Sequence, residues 1–198
     1  AEAFRAAGLS IPWGAFFAPV RPSAGYYENL ARAGLTHVEF GTEAMADSVL
    51  EAYRKPFRVA DVRKAHAAAL AAGVHVAHYA LLGGPGETGA TLAETLSNID
   101  KLARTVVFFF CGMRIYPHTA LYRLAVETGK IAPEQNLLEP VFYRADGLDE
   151  TVILETVRRH SGGRVNWVFG AGGEETEKVL ARLHRRGFTG PLWEFLIR

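Results

Sequence analysis

The sequence predicts an α/β fold: about four consecutive β/α units of a parallel, TIM-like partial barrel, followed by a mostly helical C-terminal extension. Three observations carry this. Apolar strand-like runs alternate with amphipathic helix-like runs at the spacing that βαβ units require. Most units close on a glycine. The fourth apolar run is almost wholly hydrophobic, as in strands covered on both faces.

The elements follow in order. Residues 1–8 read as the end of a helix closed by Gly8 rather than the start of a protein, which marks the chain as a fragment. The run 9–18 contains Ile11, Trp13, Phe16 and Phe17 and reads as a strand; a helix follows from about Arg21-Pro22-Ser23 to Ala33, where Gly34 stops it. Residues 36–41 form the second strand, and two helices follow over 47–54 and 59–72, separated by Pro56. The third run, 74–82, opens directly into Gly83-Gly84-Pro85-Gly86-Glu87-Thr88, with Thr88 as N-cap of a helix to about Ala103. The fourth run, 106–116, leads through Pro117-His118-Thr119 into a helix to Thr128 that Gly129 ends. Residues 1–130 thus hold the β/α units. Residues 131–198 hold an extension packing on the barrel: a short strand at 141–143, helices at about 148–160 and 174–186, and Trp167 and Trp193 in loops as packing anchors.

Composition narrows the function classes. Twenty-two basic and twenty-one acidic residues leave a net charge of +1, so nucleic-acid binding has no electrostatic support. The longest apolar stretch, 105–113, is far shorter than the roughly 20 residues of a membrane helix, and a cytoplasmic setting follows as the default. Cys111 is the sole cysteine, so one chain forms no internal disulfide and no cysteine-ligated zinc or iron–sulfur site.

In a parallel β/α barrel the loops after the strands build the active site, because strand ends and helix N-termini converge there. The segments 41–43, 83–87 and 113–119 therefore hold the candidate residues. Glu43 can accept hydrogen bonds from an ammonium or a hydroxyl, and Gly83, Gly84 and Gly86 let a ligand approach the backbone closely. Structural roles stand beside these: the glycines can simply make the turn, and Glu87 can favour the positive end of the next helix. Three residues apart on a strand, His75 and His78 point to opposite faces and form no joint metal site. Cys111 reads as a small core residue, and Tyr53, Tyr116 and Tyr122 as space-filling.

Taken in order, Val38-Glu39-Phe40-Gly41-Thr42-Glu43 with Asp47-Ser48-Val49-Leu50 and Arg54-Lys55-Pro56-Phe57, then Leu81-Leu82-Gly83-Gly84-Pro85-Gly86-Glu87-Thr88, then Ile115-Tyr116-Pro117-His118-Thr119-Ala120-Leu121-Tyr122 and Gly129-Lys130-Ile131, resemble the second part of a radical S-adenosylmethionine (SAM) enzyme. The likeness is strongest to the group with a cobalamin-binding domain ahead of the barrel. Phe142-Tyr143 and Gly190-Pro191-Leu192-Trp193 resemble that family's tail. The resemblance implies a partial six-stranded barrel with S-adenosylmethionine across its strand ends: Thr42 and Glu43 at the methionine or ribose, Gly83, Gly84 and Glu87 at the adenosine wall, and Met113 through Tyr116 offering backbone to adenine. It implies a 4Fe-4S cluster and, in the cobalamin group, cobalamin; both would be held outside this chain, which lacks the three-cysteine motif.

The resemblance therefore implies the C-terminal part of a radical SAM oxidoreductase or transferase acting on a small molecule, inactive without its N-terminal part. No residue is assigned a catalytic role and none a metal. An open barrel edge would promote homodimers. The alternatives are a cluster-free β/α barrel lyase or aldolase binding a phosphorylated ligand at the loop 83–87, and a non-catalytic interaction module built on the tail.

Overall fold

The computed structural model describes residues 1–9, 11–170 and 174–197; Ser10, within the first predicted run, lies outside them. Its centre is a five-stranded, all-parallel sheet. In chain order the strands are β1 (Trp13–Phe17), β2 (Leu35–Glu43), β3 (His75–Leu82), β4 (Thr105–Cys111) and, after a short antiparallel pair of β5 (Met113–Arg114) and β6 (Phe142–Tyr143), β7 (Trp167–Phe169). They lie in the order β1-β2-β3-β4-β7. The helices are α1 (Glu2–Ala6), α2 (Tyr26–Ala31), α3 (Asp47–Ala52), α4 (Val59–Ala71), α5 (Gly89–Ile99), α6 (Ala120–Glu127), α7 (Glu150–Ser161) and α8 (Glu174–Arg185), with a closing 3-10 turn at Trp193–Leu196.

Strand alternation sorts side chains to two faces. Val38 and Phe40 of β2 and Val76 of β3 pack with Tyr27 of α2 and Ala65 and Ala69 of α4. Ala80 and Leu82 of β3 and Val107 and Phe109 of β4 pack with Leu92, Leu96 and Ile99 of α5 and Ile153 and Val157 of α7. The helices thus cover one face. On the other, Ala77, Val106 and Val168 meet Trp193 of the C-terminal turn. This inner face is the concave side of the incomplete barrel.

Two features depart from the predicted pattern. The fourth run is not one strand: Gly112, at φ 80°, breaks it. A side chain there would bring a Cβ within 2.9 Å of the Tyr143 carbonyl, so the chain turns at Gly112 and β5 pairs with β6 instead of extending β4. Trp167 is not in a loop. It opens β7, which pairs in parallel with Val107, Phe108 and Phe109, so the tail supplies the sheet's fifth strand.

Candidate active site at the strand ends

The carboxyl end of β2 is irregular: the β2–β3 register shifts between Gly41 and Glu43, and Glu43 takes a left-handed φ of 64°. A non-glycine residue rarely holds this conformation unless its surroundings fix it. Two contacts do so. The Glu43 carboxylate pairs with the Lys55 ammonium at 2.8 Å, both side chains partly open to solvent. The neighbouring Thr42 hydroxyl is buried against His78 Nδ1 at 2.6 Å, and His78 Nε2 meets His66 Nδ1 at 3.0 Å. His66 lies beside the Ala103 backbone, and its Nε2 has no hydrogen-bond partner among the described residues. Burial holds both imidazoles neutral, pushing His78 well below the usual histidine range and His66 to about 4.

The turn after β3 is built around Tyr53, which closes α3. The Tyr53 hydroxyl donates to the Leu81 carbonyl at 3.2 Å and accepts from the Gly84 amide at 3.1 Å. Gly84 has to be glycine, because a Cβ there would fall 2.3 Å from that hydroxyl. Glu87 folds back so that the Gly83 amide donates to its carboxylate. Burial pushes Glu87 up to about 7, against the opposing pull of the Gly83 and Gly84 amides. Its Oε1 has no hydrogen-bond partner among the described residues.

The structure thus gathers Glu43, Gly83, Gly84 and Glu87 around Tyr53 at the ends of β2 and β3. Thr42 lies beside them but points into the helix layer. Met113 lines a shallow groove with Tyr53, Arg54 and Pro85, on the outer side of the same turn. Tyr116 stands apart, 53% exposed, with the Arg114 guanidinium 4.9 Å from its ring centroid. The amides of Gly83 and Gly84 are engaged within the turn, which removes them as a cradle for the phosphorylated ligand of the lyase alternative. Sequence reasoning missed Lys55 and Tyr53, whose partners lie 12 and 28 residues away. It also missed an aromatic row on the inner face, where Tyr79 stacks on Phe108 at 4.9 Å and meets Phe16 at 5.2 Å.

Cys111 is half-buried and receives Arg144 Nε at 3.4 Å; burial pushes its thiol up, the opposite of an activated thiolate. Among the described residues no group of three or more histidine, cysteine, aspartate or glutamate side chains could hold a metal ion. With one cysteine in the sequence, these residues do not fit a 4Fe-4S cluster.

A parallel β/α sheet whose irregular strand ends carry a paired carboxylate and ammonium above an aromatic inner face belongs to the partial-barrel class of α/β proteins. Within that class the Radical SAM superfamily matches residues 11–99. The resemblance drawn from the sequence is borne out over these residues, which match that superfamily's model. The fold is similar to that of the radical S-adenosylmethionine methyltransferase TsrM from Kitasatospora setae with cobalamin and a [4Fe-4S] cluster bound (TM-score 0.69, 16% identity, 92% of this chain and 42% of that one). For the same methyltransferase with tryptophan substrate and the SAM analogue aza-SAM, the TM-score is 0.74 at 17% identity, over 92% and 44% of the two chains. Elp3 from Methanocaldococcus infernus, with an N-terminal deletion, matches at a TM-score of 0.59 and 16% identity, over 90% and 42%. The chain spans about two fifths of the length of these structures. No curated protein matches it.

Proposed function

We propose that this chain is the C-terminal part of a radical SAM oxidoreductase or transferase and forms the S-adenosylmethionine wall of its barrel. One observation carries the proposal: within the radical SAM segment, the end of β2 holds Glu43 and Lys55 as an adjacent, partly exposed carboxylate and ammonium. Such a pair offers both charges that a zwitterionic amino-acid group needs, and so fits the methionine portion of S-adenosylmethionine. Glu43 would take the ligand ammonium and Lys55 its carboxylate. The backbone at Gly41 and Gly83 would shape the wall, with Tyr53 fixing the turn that carries it. Bound there, S-adenosylmethionine would supply a methyl group or a deoxyadenosyl radical.

The 4Fe-4S cluster has no ligands in these residues, and its cysteines would come from outside this chain. The methyltransferase structure described with cobalamin and a cluster supports transfer chemistry, with cobalamin as a cofactor that would be bound elsewhere in the intact enzyme. The substrate would be a small molecule. No described helix is long and apolar enough to cross a membrane; a cytoplasmic setting is part of the proposal. Among the described residues no strand pairs with the outer edge of β1, which carries Phe16 at 70% exposure; such an edge would pair with further strands or with a second copy.

Two measurements test this. Anaerobic reconstitution of the chain with iron and sulfide is expected to yield neither cluster absorbance nor S-adenosylmethionine cleavage; a four-iron cluster on this chain would overturn the assignment of its ligands elsewhere. Titration with S-adenosylmethionine, followed by amide NMR, is expected to give weak fast-exchange shifts at Gly41, Glu43 and Gly83 that Glu43→Gln removes. Shifts confined to other surfaces, or none, would overturn the wall.

A further inference from the structure

The backbone that presents Glu43 is strained. The β2–β3 register skips Thr42, and the Ala44 amide donates to the Thr42 carbonyl at 2.7 Å, which closes a three-residue turn about Glu43 at its left-handed φ of 64°. Turns of this hand are rare, and such a conformation persists only where the surroundings over-determine it. A bulge beside a site re-aims a side chain, and the one re-aimed here is the Glu43 carboxylate.

Of the contacts that fix this turn, the ion pair with Lys55 is the weakest. The Glu43 and Lys55 side chains are 17% and 27% exposed, and pairs open to solvent are typically worth less than the strain of a left-handed residue other than glycine. The pair also has to open if each partner is to take one charge of a ligand. The stronger holds lie in the helix layer. Ahead of the turn, Thr42 is buried against His78, which His66 backs from α4. Behind it, Ala44, Met45 and Ala46 are buried, and Met45 lies beyond the last residue of β2, so its backbone groups need partners other than a neighbouring strand. α5 supplies both. The Met45 amide donates to the Thr95 hydroxyl at 3.2 Å, and the Asn98 side-chain amide donates to the Met45 carbonyl at 2.8 Å. Thr95 is fully buried, and the Asn98 Oδ1 accepts in turn from Arg63 at 2.8 Å and Lys101 at 3.0 Å. α5 is also the helix into which the glycine turn after β3 leads, and Tyr53 of the β2 side grips that turn at Leu81 and Gly84. Each strand-end loop therefore holds the other.

We infer that Thr95 and Asn98 of α5, with His78 on the opposite side, are positioning residues for Glu43: they clamp the strained turn at both ends, so that the carboxylate keeps its place at the strand end when Lys55 releases it. Their effect on binding rests on the methionine site proposed above, whereas the clamp itself acts on the free protein and is tested without ligand.

The φ of Glu43, read from NMR scalar and residual dipolar couplings in the free protein, separates the clamp from the ion pair. Lys55→Met removes the ammonium and is expected to leave Glu43 left-handed. Thr95→Val keeps the branched shape but leaves the buried Met45 amide without its acceptor, and is expected to release Glu43 from the left-handed region, with Thr95→Ser restoring the wild-type couplings. Asn98→Ala, at a half-buried position, should act in the same direction and decides the matter should Thr95→Val fail to fold. In a titration with S-adenosylmethionine, Thr95→Val should weaken binding at least roughly tenfold and Thr95→Ser should restore it. Left-handed couplings that survive both Thr95→Val and Asn98→Ala, or that vanish already in Lys55→Met, overturn the clamp. Unchanged affinity in a Thr95→Val protein whose turn has been released overturns the positioning role. A wild-type chain that does not bind S-adenosylmethionine overturns the function proposed above, and the couplings alone then decide the clamp.

Discussion

Glu87 sits between a glycine turn and the start of α5, a position where a carboxylate ordinarily complements the positive end of a helix. The structure gives that role to threonine instead: Thr88 caps the helix by accepting from the Thr91 amide, and Glu87 folds into the turn behind it. Burial raises Glu87 from 4.5 to about 7. The native state therefore binds the proton more tightly than the unfolded chain, and this contribution to stability is complete below about 4.5 and lost as pH rises through about 7. Glu87→Gln keeps an acceptor for the Gly83 amide and does not titrate. Relative to wild type, it should gain about 2–3 kcal/mol between pH 5 and pH 8, read from urea unfolding at both values. A pH-independent difference would show that the carboxyl is ionised throughout. The candidate position of Glu87 was legible in the sequence; its inward orientation was not, because it depends on Tyr53 and α3. The same holds for Thr42, His78 and His66, a hydrogen-bonded chain whose members are 36 and 12 residues apart.

At the scale of elements, β1 to β4 were legible because each carries an apolar run long enough to signal a strand and is followed by a glycine or a capping residue. β7 was not, since three residues carry no periodicity and its place in the sheet comes from pairing with Val107, Phe108 and Phe109. The glycine turn after β3 was visible as composition, but the demand for glycine comes from a neighbouring element. At Gly84 an added methyl would lie 2.3 Å from the Tyr53 hydroxyl, so Gly84→Ala forces Tyr53 out of its bonds to Leu81 and Gly84. The expected cost is about 1–3 kcal/mol, as for other overpacked sites. In a Tyr53→Ala background the same methyl has room and should cost little, so a double-mutant cycle should return a coupling of the same order. Additive effects would mean that the turn is glycine-rich for backbone conformation alone.

For the whole molecule the question is what covers the inner face. Parallel strands are usually buried on both sides, and here α2, α4, α5 and α7 pack on only one. On the other, the C-terminal segment returns to the middle of the sheet: Trp193 packs on Ala77, Val106 and Val168, and its indole N–H reaches Glu39, 154 residues away in sequence. Trp193 was legible as an anchor, but its partners lie on three different strands, so no local pattern could name them. If this segment closes the fold, Trp193→Ala should destabilise the protein by about 3–5 kcal/mol, as removal of a buried aromatic does. Trp193→Phe, which keeps most of the packing and removes the donor to Glu39, should cost only about 1 kcal/mol more than a conservative repacking. Urea denaturation separates the two. A loss below about 1 kcal/mol for Trp193→Ala would mean that the segment rests on the sheet without closing it.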